Sequence, residues 1–302
     1  MNIIGHKYIY LTFSGILIAT SIIFLLVWGL NAGIDFTGGS LMEIEFVQGS
    51  MPSVDNVKEV LAPLNLGEIT VQPIGERAVV LRFHAIDEST HQEMLRALGG
   101  LKGPEQTVER RFDTIGPTIG KVLRTQSFVA IGLTAAGIVL YLAWAFRRVS
   151  KPVASWKYGV VAVSAVIHDV TIPVGVFAFL GYFYGVTVDS LFITALLTVM
   201  GFSVHDTIVI FDRIRENLGK LKRPESYEVT VNRSVNETMA RSINTSLTVL
   251  IVLFAIFLFG GVTTRFFALA LMIGIIFGTY SSIFVASPLL VIWQQWREKK
   301  RG

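Results

Sequence analysis

Six apolar segments, near residues 9–29, 126–146, 157–181, 187–211, 245–262 and 265–292, are each long enough to cross a hydrocarbon core, and this sets the fold class before any other feature does. A span needs about 20 consecutive apolar residues, because lipid offers no partner to an open backbone group and only a closed helical ladder satisfies it. The chain of 302 residues is 52% hydrophobic and only 16% charged, against roughly 25% charged in an ordinary soluble domain. It reads as a multi-pass membrane protein of six helices. The first segment is too long for a signal-peptide core and the following NAGIDFTGG lacks a small-x-small cleavage pattern, so it reads as a retained helix. The net charge of +4 does not point to nucleic acid, since the basic residues flank apolar runs and form no basic face with interleaved aromatics. Cysteine is absent, which excludes disulfides, thiolate metal sites and a cysteine nucleophile.

Lysine and arginine set the expected orientation. Arg147, Arg148, Lys151 and Lys157 lie between the second and third spans with no acid among them, and Arg297, Lys299, Lys300 and Arg301 close the chain. By the positive-inside rule both termini are expected in the cytoplasm. Trp28, Trp144, Trp156, Tyr182, Tyr184 and Trp293 stand at the expected interfaces as an aromatic belt. The long segment 31–122 then falls on the extracytoplasmic side, and its patterning is that of a folded domain. LMEIEF alternates, with Met42, Ile44 and Phe46 on one face and Glu43 and Glu45 on the other. SVDNVKEVLAPL carries Val54, Val57, Val60, Leu61 and Leu64 at helical spacing, with Ser53 as its N-cap. EITVQP, RAVVLRFH, the amphipathic ESTHQEMLRAL and TVERRFDTI follow, giving the order β-α-β-β-α-β expected of a small ferredoxin-like sandwich. Gly274 and Gly278, spaced G-x-x-x-G, mark a candidate helix contact, and so do Gly132 and Ala136.

Ionisable residues inside the spans are the candidate functional groups: His168 and Asp169 in the third, His205 and Asp206 in the fourth, and Arg241 at the polar start of the fifth. Asp169 lies about twelve residues, or roughly 18 Å at helical rise, inside its span, close to mid-membrane. A carboxylate there costs about 2.5–3.5 kcal/mol on insertion scales, so it must face the bundle interior and find a partner or a proton. Antiparallel packing of neighbouring spans would bring Asp206 and Arg241 together, and an aspartate that alternates between a paired, charged state and a protonated, neutral one is a proton-relay element. The competing reading makes Arg241 an interfacial arginine and Asp206 a packing carboxylate. No metal site is expected: neighbours at i and i+1 point about 100° apart on a helix, and neither H-E-x-x-H nor an i, i+4 histidine pair is present. In GIDFTGGS, Gly33, Asp35, Gly38 and Gly39 read first as a mechanical exit from the membrane, with Asp35 capping the turn.

Taken together, GIDFTGGSLMEIEF after the first span, IGPTIGKVLRTQS entering the second, HDV in the third, GFSVHDTIVIFDRIREN leaving the fourth and SVNETMARSINTSLT entering the fifth resemble the SecF family of bacterial protein-export membrane subunits. LFGG and LMIGIIFGTYSSIFVAS in the last two spans agree, and the resemblance covers nearly the whole chain. It implies one half of a resistance-nodulation-division (RND) architecture: a six-helix all-α membrane bundle with an inserted α+β ferredoxin-like extracytoplasmic domain. The expected divisions are 1–30 for the N-terminus and first helix, 31–122 for the inserted domain, 123–296 for a five-helix bundle and 297–302 for a basic tail.

The resemblance also implies a role. It points to an accessory of Sec-dependent export that uses the proton-motive force, acting beside the SecYEG translocon and SecA on a translocating preprotein. SecD is expected as a separate partner chain, since no SecD-like half precedes, with YajC as a further candidate. No enzymatic activity, cofactor or nucleic acid is expected; protons are the coupling ion, with sodium left open. The family's proton-pathway aspartate falls on Asp206 and its essential arginine on Arg241, while a second essential aspartate belongs to SecD. His168, Asp169 and His205 are assigned to an accessory polar cluster. Family members commonly carry Asn where this chain has His205, so His205 either joins the relay or replaces an amide hydrogen bond. Three other readings stay open at this stage: a small-molecule or lipid transporter, a scaffold that moves no protons, and an intramembrane metalloenzyme.

Overall fold

The computed structural model describes residues 1–47, 51–102, 107–145, 155–220 and 225–299. Arg147, Arg148, Lys151, Lys300 and Arg301, used above to orient the chain, lie outside the described residues. The molecule divides into two compact units, Asn31–Phe128 and Met1–Leu30 with Val129–Gly302.

In the first unit four antiparallel strands, β1 (Gly39–Phe46), β2 (Thr70–Ile74), β3 (Ala78–Phe83) and β4 (Thr107–Ile115), lie in the order β2-β3-β1-β4. A short helix α2 (Ile34–Thr37) leads into β1, α3 (Val54–Leu61) follows β1, and α4 (Glu88–Lys102) follows β3. This is the ferredoxin-like arrangement that the element order predicts. The alternation of LMEIEF has the expected effect, since Met42, Ile44 and Phe46 are fully buried against Val57 and Leu61 of α3 and Met94 and Leu98 of α4. On the opposite face Glu45 accepts from Arg110 of β4 at 2.5 Å. Pro73 sits in β2, which pairs only with β3; on an edge strand its missing N–H leaves no ladder bond unmade. Ser53 caps α3 by accepting from the Asn56 amide at 3.2 Å, as its position predicts. Asp87 does the same for α4, accepting from the Thr90 amide at 2.9 Å and from the Ser89 and Thr90 hydroxyls.

Among the described residues six helices are long and apolar enough to cross a bilayer: Ile4–Trp28, Pro117–Ala145, Trp156–Tyr184, Ser190–Gly219, Tyr227–Phe259 and Thr263–Arg297. Their helices are α1 (Lys7–Trp28), α5 (Pro117–Ala145), α6 (Ser155–Tyr184), α7 (Ser190–Gly219), α8 (Tyr227–Phe259), α9 (Val262–Ser281) and α10 (Ser287–Lys299), with a π-helical turn Ser282–Ala286 joining the last two. The protein is thus a multi-pass membrane protein. Helices α7 and α8 run well beyond the apolar windows because polar side chains at their ends find partners on each other. Asn217 donates to Ser234 at 2.9 Å and to Glu237 at 2.8 Å, and Arg213 donates to Glu237 at 2.6 Å. The spans of α6, α7 and the joined α9–α10 bury about half or more of their residues, whereas those of α1, α5 and α8 bury few.

Packing follows the small residues in one case and not in the other. A Cβ on Gly274 would collide with the Val199 side chain of α7, and one on Gly278 would stand 3.6 Å from Asp169 Oδ2 and Ser203 Cβ, so both glycines face the same seam. Gly132 and Ala136 are exposed, and a Cβ on Gly132 meets nothing within 4 Å; this pair makes no packing seam among the described residues. Two of the aromatic clusters pack between helices at opposite ends of the bundle. Trp28 stacks on Tyr182 at 5.2 Å, and Trp156 meets Trp293 edge-on at 5.1 Å.

A clasp at the N-terminus holds the bundle's polar end. Asn232 accepts from the amides of Ile3 (2.9 Å) and Ile4 (3.2 Å) and, with Asn236, donates back to the Met1 carbonyl. Glu228 bridges Lys7 at 3.1 Å and Gln295 at 2.8 Å, tying α1, α8 and α10.

Two outcomes test this packing. Gly39 has φ +123°, and a Cβ there would stand 2.7 Å from the Phe83 carbonyl, whereas a Cβ on Gly116 meets nothing within 4 Å. Gly39→Ala should therefore destabilise the protein by about 1–3 kcal/mol, seen as a lower thermal midpoint of the full chain in detergent, with Gly116→Ala close to neutral. The hydrogen bonds from Thr90 and Ser89 hold the Asp87 carboxyl below its ordinary range. A depressed aspartate contributes stability above its unfolded pKa of about 3.9 and loses it as pH falls through the folded value. Asp87→Asn should flatten that acid-side fall in thermal midpoint, and an unchanged profile would refute the role.

Candidate functional site

The third span explains how a carboxylate is kept in mid-membrane. Asp169 is fully buried on α6, and its two oxygens are divided between partners. Oδ1 pairs with His168 Nδ1 at 2.8 Å; Oδ2 accepts from Ser203 Oγ of α7 at 2.5 Å and from Ser281 Oγ of α9 at 2.7 Å. The i, i+1 spacing does not stop the histidine from reaching its neighbour's carboxylate, because one hydrogen bond needs only side-chain rotation, not convergence on a shared ion. The imidazole lies against Tyr280, ring centroids 6.3 Å apart, and its Nε2 is buried with no hydrogen-bond partner among the described residues.

Two backbone irregularities serve this site. Pro173 lies inside α6 four residues after Asp169, and having no N–H it cannot return the i→i−4 bond to the Asp169 carbonyl. The π-helical turn begins immediately after Ser281, and Pro288 follows it; wide turns of this kind arise where the regular ladder is interrupted. Ser282 and Ser287 hydroxyls bond back to the Thr279 and Ser282 carbonyls at 3.0 and 3.2 Å, which keeps their polar groups satisfied in an apolar setting. The two prolines and the run of serines were visible as letters, but only the helix contacts tie them to Asp169.

Asp206 lies on α7 one turn beyond Ser203 and is held differently. It is buried, and its Oδ2 has no hydrogen-bond partner among the described residues. Ser242 of α8 and Thr279 of α9 lie beside its carboxyl, and among the described residues the buried hydroxyls of Ser242 and of the adjacent Thr207, like Oδ2, have no hydrogen-bond partner. Thr279 is hydrogen-bonded to Ser246, which donates on to the Ser242 carbonyl at 2.9 Å. A seam of hydroxyls from α7, α8 and α9 therefore lines the region holding the two aspartates: Ser203 and Ser281 at Asp169, and Thr279, Ser242 and Ser246 at Asp206. Sequence reasoning did not single out these five residues.

The other expected participants stand apart. Arg241 is exposed on α8 and makes no ion pair among the described residues, so the expected Asp206–Arg241 contact is not formed in this structure. Antiparallel packing alone was not enough, because Ser242 and Ser246, not Arg241, occupy the face of α8 turned inward. His205 is also exposed. Among the described residues no three His, Cys, Asp or Glu side chains gather as metal ligands.

The glycine motif is built for close approach. Gly33 takes the N-cap position of α2, and Asp35 stands in its first turn. Gly38 has φ +75° and a Cβ there would lie 2.9 Å from Pro117 Cα, while a Cβ on Gly120 would lie 2.8 Å from the Gly38 amide. Thr37 Oγ1 donates to the carbonyls of Gly33 and Gly38 at 3.1 and 3.0 Å. The segments GIDFTGG and GPTIG thus lock backbone to backbone, which is a structural use of the motif.

Residues 99–296 match the family model described as protein export membrane protein SecD/SecF, C-terminal, and residues 23–49 match the SecD/SecF GG motif. The chain is 44% identical to the protein translocase subunit SecF of Thermobaculum terrenum, covering 97% of this chain and 94% of that one. It is 40% identical to the SecF of Anaerolinea thermophila, covering 100% and 98%. Among solved structures it resembles the crystal structure of a Thermus SecDF, a translocon-associated membrane protein, with a TM-score of 0.84 and 32% identity. That match covers 98% of this chain and spans 39% of the SecDF chain.

The difference between the two aspartates is testable. Asp169→Ala leaves the His168 and Ser203 groups buried without their partner, at about 1–3 kcal/mol for each orphaned group. It should lower the thermal midpoint in detergent well below that of His205→Ala, which alters an exposed side chain and should fall within about 0.5 kcal/mol of the parent.

Proposed function

Because this chain belongs to the SecD/SecF protein-export family, on its SecF side, we propose that it works as one half of a SecDF-type assembly. In this reading a separate SecD chain supplies the other half, and together they use the proton-motive force to help a preprotein leave the SecYEG translocon after SecA has acted. YajC is a further candidate partner. Both termini face the cytoplasm and residues 31–122 lie on the extracytoplasmic side, an orientation supported by the basic residues beside the spans. The coupling ion is a proton, with sodium as the alternative, and no enzymatic step is involved.

The observation that carries the reading is the contrast between the aspartates. Asp169 has both oxygens engaged by three side chains and serves as a fixed anchor for α6, α7 and α9. Asp206 has a buried oxygen with no partner, in a seam of hydroxyls that can both donate and accept. A carboxyl so placed can take up a proton and release it without dismantling the packing around it. Arg241 and His205, exposed in the single chain, belong to the surface that SecD would cover; an arginine there can pair with Asp206 in a second arrangement of the bundle. A proton crossing the membrane potential releases about 2.3 kcal/mol per 100 mV, enough to shift a two-state equilibrium several-fold.

Asp206→Asn is therefore expected to abolish the proton-driven part of preprotein export into inverted vesicles while leaving co-purification with SecD intact. His205→Asn should export normally. Full export by the Asp206→Asn protein would sink the assignment, and export loss in His205→Asn with a shifted pH dependence would move the relay to the histidine.

A further inference from the structure

Between α6 and α10 runs an apolar groove of about 460 Å³, lined by Val161, Ser164, Leu289, Ile292, Trp293 and Trp296. The one polar lining side chain turns away, its hydroxyl bonding the Val160 carbonyl at 2.9 Å. At the end of the groove where α6 begins and α10 finishes, Trp156 meets Trp293 edge-on and Lys157 Nζ lies 5.2 Å from the Trp293 ring centroid. Arg297, one helical turn beyond Trp293, is half-buried and makes no ion pair among the described residues, and Lys299 follows it.

This combination selects among occupants. The lining is apolar along both α6 and α10, a surface that a flexible hydrocarbon chain can follow. Tryptophans gather where headgroups meet hydrocarbon, and basic side chains at the mouth of a groove between membrane helices attract anionic headgroups. We propose that the groove holds an acyl chain of an anionic phospholipid, whose phosphate meets Arg297 while buried Lys157 adds its field from beneath Trp293. The site lies on residues outside the aspartate seam, and it stands or falls separately from the coupling mechanism.

The test is tryptophan quenching in the full chain carrying Trp28→Phe and Trp144→Phe, which leaves Trp156, Trp293 and Trp296 of the five tryptophans. In phosphatidylcholine vesicles, a small fraction of brominated phosphatidylglycerol should quench about five-fold more effectively than the same fraction of brominated phosphatidylcholine. Arg297→Gln should remove that excess, and Ser164→Phe, which fills the groove, should weaken quenching by both lipids. If Arg297→Gln fails to fold, the excess in the parent must still fall as salt is raised. Equal quenching by the two lipids, or an excess insensitive to both Arg297→Gln and salt, would overturn the proposal. So would loss of all quenching when SecD is co-reconstituted, which would make the groove a helix contact.

Discussion

Everything in the membrane unit depends on how one carboxylate is kept away from lipid. Asp169 lies where neither water nor headgroups can reach it, so its oxygens must be satisfied by neighbouring helices. Ser203 and Ser281 can do so only because α7 and α9 approach closely, and at Gly274 they approach to where a Cβ would collide with Val199, with Gly278 on the same face. A glycine spacing, two serines and an aspartate on three different helices thus form one device. Any of them alone would be unremarkable in a membrane helix.

The same seam gives its two aspartates different work. One carboxyl is held by three side chains, and a group so held resists rearrangement. The other, one helical turn along α7 from Ser203, is surrounded by hydroxyls yet has an oxygen without a bond. Unsatisfied buried polar groups cost free energy and persist where a second state repays them. The π-helical turn and Pro173 place interruptions of the backbone ladder in the same region, which is where a helix can shift without breaking its packing elsewhere.

At the polar end of the bundle, the Asn232 and Glu228 clasp holds the N-terminal residues against α8 and α10. Neither asparagine nor glutamate there carried a recognisable motif. Their role emerges only when residues more than two hundred positions apart meet, so no local pattern could have disclosed it. Along their apolar stretches α1, α5 and α8, by contrast, expose large hydrophobic side chains, among them Ile16, Phe128 and Leu258, suited to lipid or to a partner's helices.

What the sequence determined by itself is what periodicity and solvent dictate: six spans from the length of apolar runs, and the β-α-β-β-α-β order from alternation, helical spacing and turn residues. The cap at Ser53 and the inward face of β1 follow from the same local rules, because each depends on residues within a few positions. The depth of Asp169 and Asp206 was legible too, and marked both as groups needing partners. Tertiary structure alone decided which partners they have. It gave Asp169 two serines from other helices and left Arg241 on the outside, since the rotation of α8 about its axis is set by packing against α7 and α9 and not by the order of its residues. It likewise put Gly274 into a seam and left Gly132 facing outward, although the two have the same small-residue spacing, because spacing says which residues share a face and only packing says what that face meets.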